Sequence, residues 1–188
     1  MSLLNLRKIM KNSHGKNKPS ACIIRYRIMY CIILLSFGSI QANAQRNLTV
    51  VGSSWNVNPA PITEAGQNYA GTYESPSNQI LLNAQVPLLL ASGKVSVRFE
   101  ANPTWHNALK LAIRRTGNGT TVCVLCAITG GLTYLPITTV DTELFRIQAV
   151  LALASYSNIP IQLSLSGVSV TIPAANYQSR VIFTIGPI

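Results

Sequence analysis

Two cysteines three positions apart, Cys123 and Cys126, form the most chemically suggestive spacing in the chain. A C-x-x-C pair does redox work when its first thiol opens a helix, because the helix dipole stabilises the thiolate. The flanking residues, Thr121-Val122 and Ala127-Ile128, are strand formers instead. A tetrahedral zinc site needs four ligands, and His106 is the single histidine after His14, so the set falls one short. Residues three apart on a regular strand face opposite sides, so a bond between these two thiols requires a turn or a bulge. Two readings stay open: a disulfide closing a short turn, or two buried, inert thiols.

The remaining candidates for chemistry are sparse. His106 would need a serine and a carboxylate to act as a general base, and no Gly-x-Ser-x-Gly elbow supplies the serine. Glu64, Glu74, Glu100, Asp141 and Glu143 are the only acidic residues, a thin stock from which to draw a paired-carboxylate glycosidase. Gly117, Gly119, Gly130 and Gly131 read as turn glycines, because no Gly-x-x-x-x-Gly-Lys accompanies them. Arg114 and Arg115 are adjacent, so on a strand they point to opposite faces and make no two-arginine clamp; a solvated edge is expected for them. No catalytic residue, cofactor or metal is expected. Trp55, Tyr69, Tyr73 and Trp105 lie in loop-rich stretches. There they either close the ends of the core or present faces for stacking on a ligand, with Trp55 and Trp105 the foremost binding candidates.

The elements that would position these residues are strands. Lys94 to Glu100 alternates Val95, Val97 and Phe99 with charged and polar neighbours, one face apolar and the other wet. Ala108 to Arg115 sets Leu109, Leu111 and Ile113 on one face, with a helix as the competing reading because Leu, Ala and Lys also favour helices. Thr116-Gly117-Asn118-Gly119 then predicts a turn joining this strand to Thr121–Ile128 as a hairpin. Further short strands are expected at 133–138, 144–153, 159–165, 168–172 and 177–185, cut by Pro, Gly and Asn. Residues 45–77 read as mostly loop, with short strands near Leu48 to Val51 and Tyr69 to Tyr73, and residues 78–188 as the core. With no convincing helix to cover them, the half-apolar strands require a second sheet, and a single antiparallel two-sheet β-sandwich is the expected fold.

The charge of the chain points elsewhere than its partner. The formal net charge is +10, but seven Lys and Arg and no acid precede Ile28, leaving only +3 after that point. No nucleic-acid partner follows from so small a balance. The basic run, the apolar stretch Ile28 to Ile40 and the small-residue exit Ala42-Asn43-Ala44 together predict a secretory signal over 1–44, cleaved between Ala44 and Gln45. The apolar stretch is shorter than the roughly twenty residues that span a bilayer, so no transmembrane anchor is expected in the remainder.

Arg114-Arg115-Thr116-Gly117-Asn118-Gly119, Gly130-Gly131-Leu132-Thr133-Tyr134, Gly167-Val168-Ser169-Val170 and the tyrosine-led stretch from Tyr177 to Ile185 resemble a group of small exported bacterial proteins. The last is also similar to the closing strand of fimbrial and spore-coat-U-like pilin subunits. The resemblance implies an immunoglobulin-like sandwich with a surface or fibre role, and it brings no site residues. The sequence expectation is a secreted or cell-surface structural or adhesive module without catalysis, partnered by itself or by an envelope protein. The alternative is a soluble ligand- or glycan-binding module using loop aromatics.

Overall fold

The computed structural model describes residues 45–87, 92–149 and 154–188; the expected leader and its last residue, Ala44, lie outside the described residues. The described chain is built from strands: β1 (Asn47–Gly52), β2 (Thr72–Glu74), β3 (Ile80–Val86), β4 (Ser92–Ala101), β5 (Lys110–Arg115), β6 (Thr120–Thr121), β7 (Cys126–Thr129), β8 (Leu135–Pro136), β9 (Thr142–Ala149), β10 (Ala154–Ser166) and β11 (Ser179–Gly186). One sheet runs β1-β3-β10-β5-β8, with β2 and β6 also paired to β10, and the other runs β11-β4-β9-β7. Every pairing is antiparallel. The protein is an all-β sandwich of two antiparallel sheets.

Alternation in the sequence sets the faces. In β4, Val95 and Val97 are fully buried and Phe99 packs against the core. Of the stretch Ala108 to Arg115, Lys110–Arg115 forms a strand, not a helix, preceded by a turn at Ala108, and Leu109, Leu111 and Ile113 are all buried. Val181, Phe183 and Ile185 of β11 close the opposite layer. Phe145 of β9, with Leu82, Ile147, Ile159 and Ile161, forms the fully buried centre. Each such side chain stabilises the sandwich by roughly 1.5–3 kcal/mol through loss of apolar surface from water.

The 13-residue β10 is the spine of the first sheet. It pairs with β3 and then β2 along one edge and with β6 and then β5 along the other. Its register shifts between Tyr156 and Ile159, where Asn158 takes φ 55°. This bulge is what admits Pro160, which has no N–H to give to a ladder, into a central strand. The Pro160 carbonyl still accepts from the Thr116 N–H at 2.9 Å.

Ala108–Arg115 and Thr121–Ile128 do not form a hairpin: β6 pairs with β10, and β7 crosses to β9 in the other sheet. The glycine turn instead lets the chain press against the β10 bulge. Gly119 has φ +68°, and a Cβ there would lie 2.3 Å from the Ser157 carbonyl oxygen. The strand expected at 168–172 is absent, because the chain turns back on itself there with Ile172 N–H donating to the Ser169 carbonyl at 3.1 Å. Only Leu135–Pro136 of the stretch 133–138 pairs as a strand. Residues 144–149 belong to β9, while 150–153 lie outside the described residues.

The expected solvated edge at Arg114 and Arg115 also fails. The two side chains do take opposite faces, but Arg115 is 2% exposed, inside the sandwich. Its Nε and Nη2 donate to the Gly130 carbonyl at 3.2 and 2.8 Å, and Nη1 donates to the Gly117 carbonyl at 2.9 Å and to Asn118 Oδ1. The guanidinium also lies 5.9 Å from the Phe145 ring centroid. On the outer face Arg114 stacks over Tyr134 at 4.5 Å and donates to Gln162 Oε1 at 3.0 Å.

Arg115→Ala removes the donors to the part-buried Gly117 and Gly130 carbonyls and opens a cavity beside Phe145. It is expected to cost about 3 kcal/mol of folding free energy, read as a lowered midpoint in urea titration. Arg114→Ala, which removes one hydrogen bond to the buried Gln162 and the stack on Tyr134, is expected to cost less, about 1–2 kcal/mol.

Candidate functional site

The site is built at the end of the sandwich where β1 and β10 finish and β3, β5 and β11 begin. Here the sheets part over Ile80, Leu111, Leu163, Leu165 and Val181, and the space between them opens into a cleft of about 1390 Å³. Three loops form its walls: the segment after β1 that carries Trp55, the segment after β4 that carries Trp105, and the long connection from β10 to β11 that carries Tyr177.

Each wall is fixed by named bonds. Gln79 Nε2 donates to the Ser53 carbonyl at 3.0 Å, holding the first loop against the start of β3. Trp105 packs against Phe99, with ring centroids 5.8 Å apart, and its backbone N–H donates to the Asn102 carbonyl at 2.8 Å. The third wall leaves β10 at Gly167, whose φ is +84° and where any Cβ would collide with the Ala108 carbonyl oxygen. Asn68 then pins it, accepting at Oδ1 from the Val170 N–H at 3.0 Å. The Tyr177 hydroxyl donates to the Pro173 carbonyl, and the Tyr177 ring meets His106 edge-on at 6.1 Å.

The lining has a consistent chemical character. Trp55, Tyr69, Trp105 and Tyr177 contribute rings. Asn56, Asn58, Asn176 and Gln178 contribute amides, and Ser53, Ser54, Ser169 and Thr171 contribute hydroxyls. Arg180 is the one Lys, Arg, Asp or Glu among the described lining residues, and its guanidinium stands 3.8 Å from Glu100. Such a surface offers flat apolar faces together with donors and acceptors of both kinds, and almost no formal charge.

The two sequence-predicted aromatics, Trp55 and Trp105, are thus brought to one cleft. His106 stands behind Tyr177, and its Nδ1 accepts from the Ala108 N–H at 3.2 Å. Of the acidic residues, Glu100 and Asp141 share Arg98, each at 3.7 Å, while Glu143 grips Arg146 at 2.5 Å and Glu64 accepts from Gln67 at 2.7 Å. The Arg146 partner holds the Glu143 carboxyl below its ordinary range. Among the described residues no group of three His, Cys, Asp or Glu converges as a metal site. Cys123 and Cys126 form a disulfide with Cα atoms 5.5 Å apart, across a turn at Val124-Leu125 and away from the cleft lining. Gln45, the residue after the expected cleavage point, is exposed two positions before β1.

No protein-family model, curated protein or solved structure matches this chain.

Tyr177 and the amide rim were not singled out by sequence reasoning as site residues. Their signal was present in Pro173-Ala174-Ala175-Asn176, a run that favours a loop over the strand expected just before it. Gly167→Ala is expected to force the third wall away from Ala108. A loss of about 2 kcal/mol in urea titration, with altered tryptophan emission as Trp105 is uncovered, is the expected result.

Proposed function

We propose that this chain is a non-catalytic adhesive module, exported to the cell surface or beyond, that holds an uncharged ligand in the cleft between Trp55 and Trp105. The ligand class that fits is a neutral glycan segment. One observation carries the reading: Trp55 and Trp105, distant in sequence, line a single cleft whose rim is amide and hydroxyl. Sugar rings present apolar C–H faces to aromatic side chains and hydroxyls to amides, so the two kinds of lining group answer the two kinds of ligand surface. The nearly neutral lining disfavours polyanions, which would require several Lys or Arg.

A second reading, a structural module that associates through sheet edges, is favoured by β1 and β11. Each ends its sheet, and Val50 and Val51 on β1 are 49% and 50% exposed. An unpaired edge bearing β-branched residues is a template for another strand. The similarity to pilin-like subunits noted for the closing strand supports the same alternative.

Affinity electrophoresis of the secreted protein through gels containing neutral polysaccharides is the test. Retardation is expected on at least one glycan, and Trp55→Ala and Trp105→Ala are each expected to weaken it at least tenfold while leaving the circular dichroism spectrum of a β protein. Retardation that survives both substitutions would remove the cleft from the mechanism. Light scattering across a hundredfold concentration range is expected to show a constant mass. Ordered growth abolished by Val50→Lys and Val51→Lys would transfer the function to the β1 edge. N-terminal sequencing of the exported product is expected to begin at Gln45.

A further inference from the structure

A second exposed apolar feature lies outside the cleft, on the turn between β6 and β7. Val122, Val124 and Leu125 are 92%, 93% and 62% exposed, so the two valines touch almost nothing of the described chain. The turn is closed at its base: the Cys123–Cys126 disulfide joins its two sides, and the Cys123 N–H donates to Thr121 Oγ1 at 3.1 Å. Immediately beyond, β7 ties the turn to β9. The apolar side chains therefore stand on a preorganised projection, where ordering costs little on binding.

Charge is missing from the whole neighbourhood in sequence. No Lys, Arg, Asp or Glu occurs between Arg115 and Asp141, and Arg115 is itself buried. The exposed polar groups nearest the turn in sequence are the hydroxyls of Thr120, Thr121 and Thr129. Stable protein interfaces require about 800 Å² of fitted surface on each partner, far more than three side chains on one convex turn can offer. A bilayer demands no matching shape. Apolar side chains entering about 5–10 Å into the boundary between headgroups and acyl chains gain burial, and the absence of charge spares the desolvation that would oppose entry.

We propose that the disulfide-closed turn docks the sandwich on a lipid bilayer, with Val122, Val124 and Leu125 inserted shallowly and the threonine hydroxyls at headgroup level. This inference is independent of what the cleft holds.

The test is flotation of the secreted protein with phosphatidylcholine vesicles, comparing the natural sequence with Val124→Asp/Leu125→Asp and with Cys123→Ser/Cys126→Ser. The natural protein is expected to float. The aspartate pair is expected to lower the partition at least tenfold, and the serine pair several-fold, as the turn loosens. A second readout needs no loss of binding: Val124→Trp is expected to add emission that brominated lipids quench beyond the level seen with Trp55 and Trp105 alone. Equal flotation of the natural protein and the aspartate pair would overturn the proposal. So would a natural protein that stays with the aqueous fraction, including the case in which a cross-linker at position 124 captures a protein instead.

Discussion

A guanidinium inside a sandwich is an expensive group, and the arrangement around Arg115 is organised to satisfy it. Desolvation lowers its pKa from the ordinary arginine value, yet the group is met by oxygen dipoles rather than a carboxylate. The Gly130 carbonyl accepts twice, and Gly117 and Asn118 complete the set. The loop that follows β5 and the loop between β7 and β8 are both tied to one side chain in this way. A dipolar solution avoids burying a second charge, whose desolvation would offset much of the pair's attraction. In the second of these loops Gly130 and Gly131 take φ of +86° and +76°, a conformation that favours glycine. Gly131 repeats the theme, its carbonyl accepting from the Arg115 N–H.

From this anchor the rest of the topology follows. With the 117–119 segment held against β5, the chain runs on beside the β10 bulge, where β6 pairs with Tyr156 and Ser157 before the chain crosses to the second sheet as β7. The crossing explains why a disulfide between residues three apart is sterically possible, because the pair spans the turn at which the chain changes sheets. The same bulge lets β10 carry Pro160 and serve several neighbours along its length. Its far end, released by Gly167, feeds the long wall of the cleft.

The cleft is therefore a consequence of how the sandwich ends. A sheet face buries its apolar side chains against the other sheet wherever strands oppose each other. At the end that bears Ile80, Leu165 and Val181, irregular loops take over that covering role. Loops cover less completely than strands because their own backbone polar groups must stay hydrogen-bonded or wet. The partial cover leaves aromatic faces and amides on a common surface. The turn at Val124-Leu125 is the converse case, an apolar group that no part of the described chain covers.

Much of the framework was legible in the residues alone. Period-two alternation in Lys94–Glu100, Ala108–Arg115 and Tyr177–Ile185 specifies strands and their inward faces, since a strand with one apolar face has a single way to bury it. The C-x-x-C spacing required a turn if the thiols were to join, a local geometric fact. What the alternation could not specify was pairing: the glycine turn after Arg115 reads as a hairpin locally, but the hydrogen bonds from the buried guanidinium and the bulge in β10 direct the chain elsewhere. Nor could it bring Trp55 and Trp105 to the lining of one cleft, or bury Arg115 while leaving Arg114 on the outer face with Tyr134. Spacing along a chain encodes which side a residue faces, because that depends on the residue's own backbone. Which residue it meets depends on strand partners far off in sequence, and only the folded sheets decide that.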